Sequence, residues 1–230
     1  MKPQVVLVTG ASTGIGEATA RHLAQAGHTV YAGARRVGLM KPLEALGVRT
    51  LFLDVTDDAS MTAAVERIER EAGGVDALVN NAGYGSYGAL EDVPMDEARR
   101  QIDVNVFGLA RMSQLVLPGM RKKKAGRIVN VSSIGGRITL PLGAWYHASK
   151  HAVEGLSDCL RQEVREFGVH VSVIQPGGTE SEWAKIAGEN AIKTSGQGPY
   201  APLARTMAAV MTGEASSGAV SQVPASVIAV

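Results

Sequence analysis

Tyr146 and Lys150 lie four residues apart in the stretch Trp145-Tyr-His-Ala-Ser-Lys150. Ser133 stands thirteen residues before Tyr146, and a glycine-rich turn, Thr9-Gly-Ala-Ser-Thr-Gly-Ile-Gly16, lies near the start of the chain. Positions i and i+4 share one face of a helix, so the Lys150 ammonium is expected close to the Tyr146 phenol. A phenol ordinarily titrates near pH ~10, and a neighbouring positive charge favours the phenolate and lowers that value. A tyrosine tuned in this way can give or take a proton near neutral pH. With a hydroxyl at Ser133 and a nucleotide-type turn, the set points to hydride transfer with a built-in proton donor.

The turn supplies the cofactor half of that chemistry. Thr9 and Gly10 follow an apolar run directly, and Gly14 and Gly16 open a helical stretch. Glycines let the backbone turn tightly and approach a pyrophosphate, and the helix N-terminus adds unpaired N–H groups and partial positive charge. Gly10, Ser12, Thr13, Gly14, Ile15 and Gly16 are the candidate phosphate-binding positions. Past the second strand, a carboxylate about 20 residues beyond the turn would bind the ribose hydroxyls of NAD. Here the strand runs into Ala34-Arg35-Arg36, and the next acid is Glu44. Two guanidiniums suit a 2′-phosphate, which predicts NADP(H) as the preferred cofactor, with NAD(H) possible.

The elements that must hold these groups are legible in the hydropathy. Short β-branched runs at Gln4–Val8, Thr29–Ala32, Arg49–Leu53, Ala77–Val79, Arg127–Val131 and His170–Ile174 read as strands. Several are continuously apolar, as in a parallel sheet buried on both faces. Helices are predicted at Gly14–Ala26, Ala59–Ala72, Val104–Met120 and Ala144–Phe167. Asp57 and Asp58 cap the second of these, and Gly73 follows its end. Val106, Leu109, Ser113, Val116 and Met120 form one apolar stripe; Val153, Leu156, Leu160 and Val164 form another. Strands alternating with helices predict a doubly wound, three-layer α/β/α sheet with right-handed crossovers. The 230 residues read as one domain, with no internal repeat. The Gly-, Ser-, Ala- and Pro-rich region 178–218 is expected to be irregular and to cover the substrate.

Composition narrows the partners. Lys plus Arg total 23 and Asp plus Glu 22, so there is no electrostatic case for nucleic acid or an anionic membrane. Lys122, Lys123 and Lys124 read as a solvated helix end. Cys159 is the single cysteine; it excludes an intrachain disulfide, favours a reducing and therefore cytoplasmic setting, and reads as a small core residue. No run approaches the ~20 apolar residues of a membrane span, and His22, His28 and His170 have no metal-ligand spacing. His147 is one step from Tyr146 and therefore points elsewhere on the helix.

Together these residues resemble the short-chain dehydrogenases/reductases. The resemblance runs through Thr9–Gly16, Asp54-Val55, Asn80-Asn-Ala-Gly83, Asn105, Ser133, Tyr146–Lys150 and Pro176-Gly177. It implies a Rossmann-type sheet and a nicotinamide cofactor. It implies Tyr146 as the acid/base and Ser133, rather than the adjacent Ser132, as the group that hydrogen-bonds the substrate oxygen. Lys150 would hold the nicotinamide ribose and lower the tyrosine pKa, and Asn105 would position a water in a proton relay to Lys150. Asp54 and Val55 would meet the adenine, and Asn81, Ala82 and Gly83 the adenosine ribose. Pro176 and Gly177 precede Thr179, which would sit near the carboxamide.

Tyr84, Tyr87, Leu140, Leu142, Trp145 and Trp183 flank the predicted centre in sequence. They suggest a lipophilic carbonyl or secondary alcohol, steroid- or retinoid-like, or else ordinary packing around the cofactor. Tyr84, Trp145 and Trp183 join Ser133 and Tyr146 as substrate candidates. The rival reading is a non-catalytic NADPH-binding regulator or scaffold of the same fold; a dehydratase or epimerase would usually need a longer substrate domain. The resemblance also implies a homodimer or homotetramer through helices Val104–Met120 and Ala144–Phe167. It implies a further strand and segment after Val230 as well, because Pro224 suits a first helical turn and only six residues follow it.

Overall fold

A computed structural model describes residues 2–180, 182–212 and 223–224. Its strands are β1 (Val5–Thr9), β2 (Thr29–Ala34), β3 (Arg49–Phe52), β4 (Ala77–Asn80), β5 (Gly126–Val131), β6 (Val169–Ile174), β7 (Thr179–Glu180) and β8 (Val223–Pro224). Its helices are α1 (Gly14–Gln25), α2 (Lys41–Glu44), α3 (Asp58–Ala72), α4 (Met95–Ile102), α5 (Leu109–Lys123), α6 (Ala144–Val164), α7 (Glu182–Ser195) and α8 (Ala201–Thr212). The first six strands form one parallel sheet in the order β3-β2-β1-β4-β5-β6. The order reverses between β1 and β4, which opens a crevice beyond their carboxyl ends. This is the predicted Rossmann-type sheet.

Alternation along β1 builds the two faces, since successive strand side chains point to opposite sides. Leu7 joins Leu78, Ile128, Met61, Ile68, Met112 and Val116 in the core under α3 and α5. Val6 and Val8 join Val30, Ala32, Val79, Ala20, Met40 and Leu43 under α1 and α2. A polar network crosses the interior: Asn80 Nδ2 donates to Leu109 O, Ser113 Oγ and Asn130 Oδ1, and Asn130 Nδ2 donates to Ser157 Oγ. It ties β4 and β5 to α5 and α6 at the level of the crevice.

Several expectations are corrected. The helix expected at Val104–Met120 begins earlier, at Met95, and passes through a π-helical turn, Asp103–Gly108, before α5. A period-3.6 template does not register a π turn, which shifts the side-chain phase locally. Its core stripe, Val106 through Met120, is buried as predicted. On α6, Val153 and Val164 are buried but Leu156 is 42% exposed, because the inward face is shared by Tyr146, Ser149, Lys150 and Ser157. Cys159 is exposed, not a core residue. The region expected to be irregular contains α7 and α8, whose Ala187, Ala191, Ala204 and Met207 pack with Tyr87 and Tyr146 in a third core. Val223–Pro224 pairs with Thr179–Glu180 as strand β8 and not as a helix start; proline's fixed φ suits either setting.

Candidate active site

A cavity of about 830 Å³ lies over the carboxyl ends of β1 and β4. One end is lined by Gly10, Ser12, Thr13, Gly14 and Ile15, the other by Ser133, Tyr146, Lys150 and Trp183, with Asn81, Ala82 and Gly83 between. Thr9 Oγ1 accepts from the N–H groups of Asn81 and Ala82, and Asn81 Nδ2 donates to Thr9 O and Gly10 O. The turn after β1 is therefore locked to the turn after β4. Gly10 has φ +66, and a Cβ there would lie 2.8 Å from Ala82 Cα, so only glycine fits.

Two observations test this end against a phosphorylated cofactor. Thr13, the N-cap of α1, makes no side-chain capping bond. The first N–H groups of α1 thus remain open toward the cavity, with the positive end of the helix dipole. Arg35 and Arg36 also line it, and Arg36 Nη2 reaches Ser12 Oγ at 3.4 Å and Thr13 Oγ1 at 3.3 Å. Open donors and two guanidiniums fit a dinucleotide phosphate. Asp54 and Val55 line the same end. Burial would raise the Asp54 pKa, but bonds from the Thr56 N–H and hydroxyl, with the charges of Arg35 and Arg100, hold it below the usual carboxylate value.

The chemical end is built on β5 and α6. Ser133 follows β5, and its Oγ accepts from Gly135 N–H at 3.0 Å. Ser133 rather than Ser132 meets the phenol: a hydrogen bond between Ser133 and Tyr146 works to lower the tyrosine pKa. Burial is the larger effect and pushes that pKa up to about 12. The lowering expected from Lys150 is therefore not realised in this structure. The Lys150 ammonium lies 6.0 Å from the Tyr146 ring centroid and donates to Val131 O at 2.9 Å. Burial brings the Lys150 pKa down to about 8, against the opposing pull of the Glu154 carboxylate.

Asn105 supports this centre from the π turn. It does not line the cavity. Its Oδ1 accepts from Tyr84 N, and its Nδ2 donates to Tyr84 O and Ser149 Oγ. Both groups are taken up in joining the β4 turn to α6. Gly16 also stands back from the cavity, inside α1, and Trp145 is absent from the lining, since it is rotated one helical step from Tyr146. Tyr84 lines the cavity away from Tyr146: its hydroxyl donates to Glu97 Oε1 at 2.9 Å, and Arg100 lies 5.9 Å from its ring. The aromatic neighbours of Tyr146 are Tyr87, at 5.5 Å between centroids, and Trp183, at 5.1 Å. Pro176 and Gly177 line the cavity as expected; the backbone of Thr179 lies in β7, and its side chain lies outside what is described.

Sequence reasoning missed the wall contributed by α7 and α4. Ile186, Asn190, Lys193 and Thr194 face the cavity from α7, and Asp96, Glu97 and Arg100 from α4. The i, i+3, i+7 spacing of Trp183, Ile186 and Asn190 was the available signal. Among the described residues no cluster of potential metal ligands occurs, and no helix is long and apolar enough to cross a membrane.

The geometry agrees with comparisons to known proteins. A family model described as short chain dehydrogenase matches residues 4–191. The chain belongs to the short-chain dehydrogenase family. It is 47% identical over 178 residues to a 3-ketodihydrosphingosine reductase of Bacteroides thetaiotaomicron, covering 77% of this chain and 64% of that relative. It is 38% identical over 204 residues to an NADPH-dependent 3-dehydrocapnine reductase of Ornithobacterium rhinotracheale, covering 84% and 70% of the two chains. A short-chain dehydrogenase/reductase from Burkholderia phymatum, solved with NAD, superposes with a TM-score of 0.83 at 27% identity, over 99% of this chain and 83% of that one.

Proposed function

We propose that the protein is an NADP(H)-dependent oxidoreductase that reduces the carbonyl of a lipophilic substrate to a secondary alcohol. The observation that carries this reading is the single cavity in which Ser133, Tyr146 and Lys150 face an uncapped helix N-terminus and two arginines. Bound nicotinamide would supply the hydride. The chain's own residues do the rest. Ser133 and Tyr146 hold the substrate oxygen, and Tyr146 Oη delivers its proton as negative charge develops there. Lys150 Nζ, anchored on Val131 O, keeps a positive charge beside the phenol. Trp183, Ile186 and buried Tyr87 give the pocket an apolar wall that excludes water.

The ketone-reducing direction and the NADPH preference follow the two relatives named above, and Arg35 and Arg36 support the preference. The NAD-bound neighbour keeps NAD(H) as the alternative cofactor. We assign the enzyme to a reducing, cytoplasmic setting and to a homodimer or homotetramer. The test is NADPH oxidation with a carbonyl panel that includes 3-ketodihydrosphingosine, a steroid ketone and, as an aldehyde control, retinal. Tyr146→Phe should lower kcat by ~10²–10⁴-fold while NADPH fluorescence titrations give an unchanged Kd. A phenylalanine variant that keeps more than about a tenth of the wild-type rate would remove Tyr146 from its role and favour a non-catalytic NADPH-binding protein.

A further inference from the structure

His147 follows the proton donor directly, is buried, and takes no part in the reaction described above. Both its ring nitrogens are engaged by one backbone segment. The Leu140 N–H donates to Nε2 at 3.0 Å, and Nδ1 lies 2.9 Å from Gly135 O. A backbone N–H can only donate, so Nε2 carries no proton; a carbonyl can only accept, so Nδ1 does. The ring is thus the neutral Nδ1–H tautomer, and it spans Gly135 to Leu140 like a staple driven from α6.

The stapled segment carries Ser133. Gly135 accepts from His147 through its carbonyl and donates through its N–H to Ser133 Oγ. One residue, Gly135, therefore joins the histidine to the serine. Because Ser133 Oγ accepts from Gly135 through a lone pair, its own hydroxyl proton stays available to donate. The far end of the segment is under strain, since Leu142 has φ +64, a left-handed backbone that bulky side chains rarely adopt. Further side-chain ties between this segment and α6 are the Ser133–Tyr146 bond and Arg137 Nη2 to Glu154 Oε2, at 2.9 Å.

We infer that His147 is a positioning residue for Ser133: as a neutral imidazole it holds the Ser133–Leu140 segment against α6, and taking up a second proton releases that segment and lowers turnover. In the imidazolium both nitrogens are donors. Nε2–H would then meet the Leu140 N–H head-on, and a buried donor pair without an acceptor is costly. A second cleft, of about 540 Å³ and lined by Leu90, Thr139, Leu140, Ala148, His147 and His151, gives water access to the ring from outside the active site. The titratable groups that face the ring are Tyr87, on the loop after β4 and 6.4 Å away, and Tyr146 on α6 itself; His151 bonds the backbone carbonyl of His147 and lines the same cleft. The segment it staples presents backbone at both contacts. Tyr146 and Lys150 hold their protons at acid pH, so neither accounts for a loss of ketone reduction there.

The inference rests on the reductase reading, and two measurements keep the two separable. The first follows kcat for ketone reduction from pH 5 to 9 in the wild type and in His147→Gln. A glutamine amide offers one donor and one acceptor and does not titrate. The wild-type kcat should fall on the acid side with the slope of one proton, and the glutamine variant should stay flat. The second is hydrogen exchange of the peptide spanning Ser133–Leu142, corrected for intrinsic rates and needing no substrate. Its protection should fall on acidification in the wild type and hold in the variant. A wild-type kcat that is level down to pH 5, or a segment equally protected at pH 5 and pH 8, overturns the inference even if the variant cannot be prepared. Loss of protection without any turnover of the carbonyl panel would instead sink the reductase reading alone.

Discussion

At the scale of single residues the site balances burial against charge. Lys150 is buried at the wall of the cavity, and burial brings its pKa down to about 8 from the ordinary 10.5. A group depressed in the folded state contributes stability above its unfolded value and loses it as pH falls through its folded value. Between pH 10.5 and about 8 the wild type therefore loses stability that a neutral side chain would keep. Lys150→Met should be the more stable protein at pH 7 without cofactor, by about 1–3 kcal/mol at ~1.4 kcal/mol per pKa unit, with the gap closing toward pH 10.5. Urea melts at pH 7 and pH 10 read this directly, and equal stability at pH 7 would contradict it. At the other end of the cavity, Arg35→Asp replaces a guanidinium with a repelling carboxylate. It should cost NADP(H) at least about 2 kcal/mol and raise its KM relative to that of NAD(H). Unchanged Michaelis constants for both cofactors would make Arg35 an ordinary surface residue.

At the scale of elements, the π turn Asp103–Gly108 places the site. It turns Asn105 inward to grip Tyr84 and Ser149 while leaving Phe107 outward and 62% exposed. Its last residue, Gly108, lies so close to the end of β3 that a Cβ would stand 2.6 Å from Val55 O and 2.8 Å from Val55 Cβ. The contact is with backbone and with a stiff β-branched side chain, so a neighbouring rotamer change cannot relieve it. Gly108→Ala should destabilise the protein by about 1–3 kcal/mol and weaken NADP(H) binding, because Val55 lines the cofactor end. Thermal melting with and without NADPH checks both; an alanine variant with wild-type melting would show that α5 can shift freely.

At the scale of the whole molecule, two features bear on assembly. The segments expected to pair between subunits carry Phe107 and Leu156, 62% and 42% exposed. Among the described residues strand β6 is one of the two outer strands of the six-stranded sheet, and an open edge invites pairing. We expect Phe107→Glu with Leu156→Glu to convert an oligomer to monomer, since charges at the centre of an isologous contact meet their own copies across the two-fold axis. Sedimentation velocity at micromolar concentration distinguishes the outcomes. A wild type that sediments as a monomer, or a double variant that remains associated, counts against these helices as the interface.

Local rules in the sequence determined the six strands of the main sheet, the helices α1, α3, α5 and α6, the glycine-rich turn after β1, and the i, i+4 placement of Tyr146 and Lys150. Apolar runs, glycine positions and i, i+4 spacing are properties of neighbouring residues, so they can be read along the chain. The stripe from Val106 to Met120 was legible for the same reason. Tertiary structure alone decided what depended on distant neighbours. Burial against Tyr87 and Trp183 raised the Tyr146 pKa where spacing to Lys150 predicted a fall. The π turn sent Tyr84 to Glu97 and away from Tyr146. Helix α7, hidden in a segment poor in strong signals, became a wall of the cavity. His147 pointed away from the chemistry, as its position predicted, yet a fold that returned Gly135 and Leu140 to its two nitrogens joined it to Ser133. Proton affinities and side-chain partners are set by what surrounds a group in space, and that environment exists only once the chain has folded.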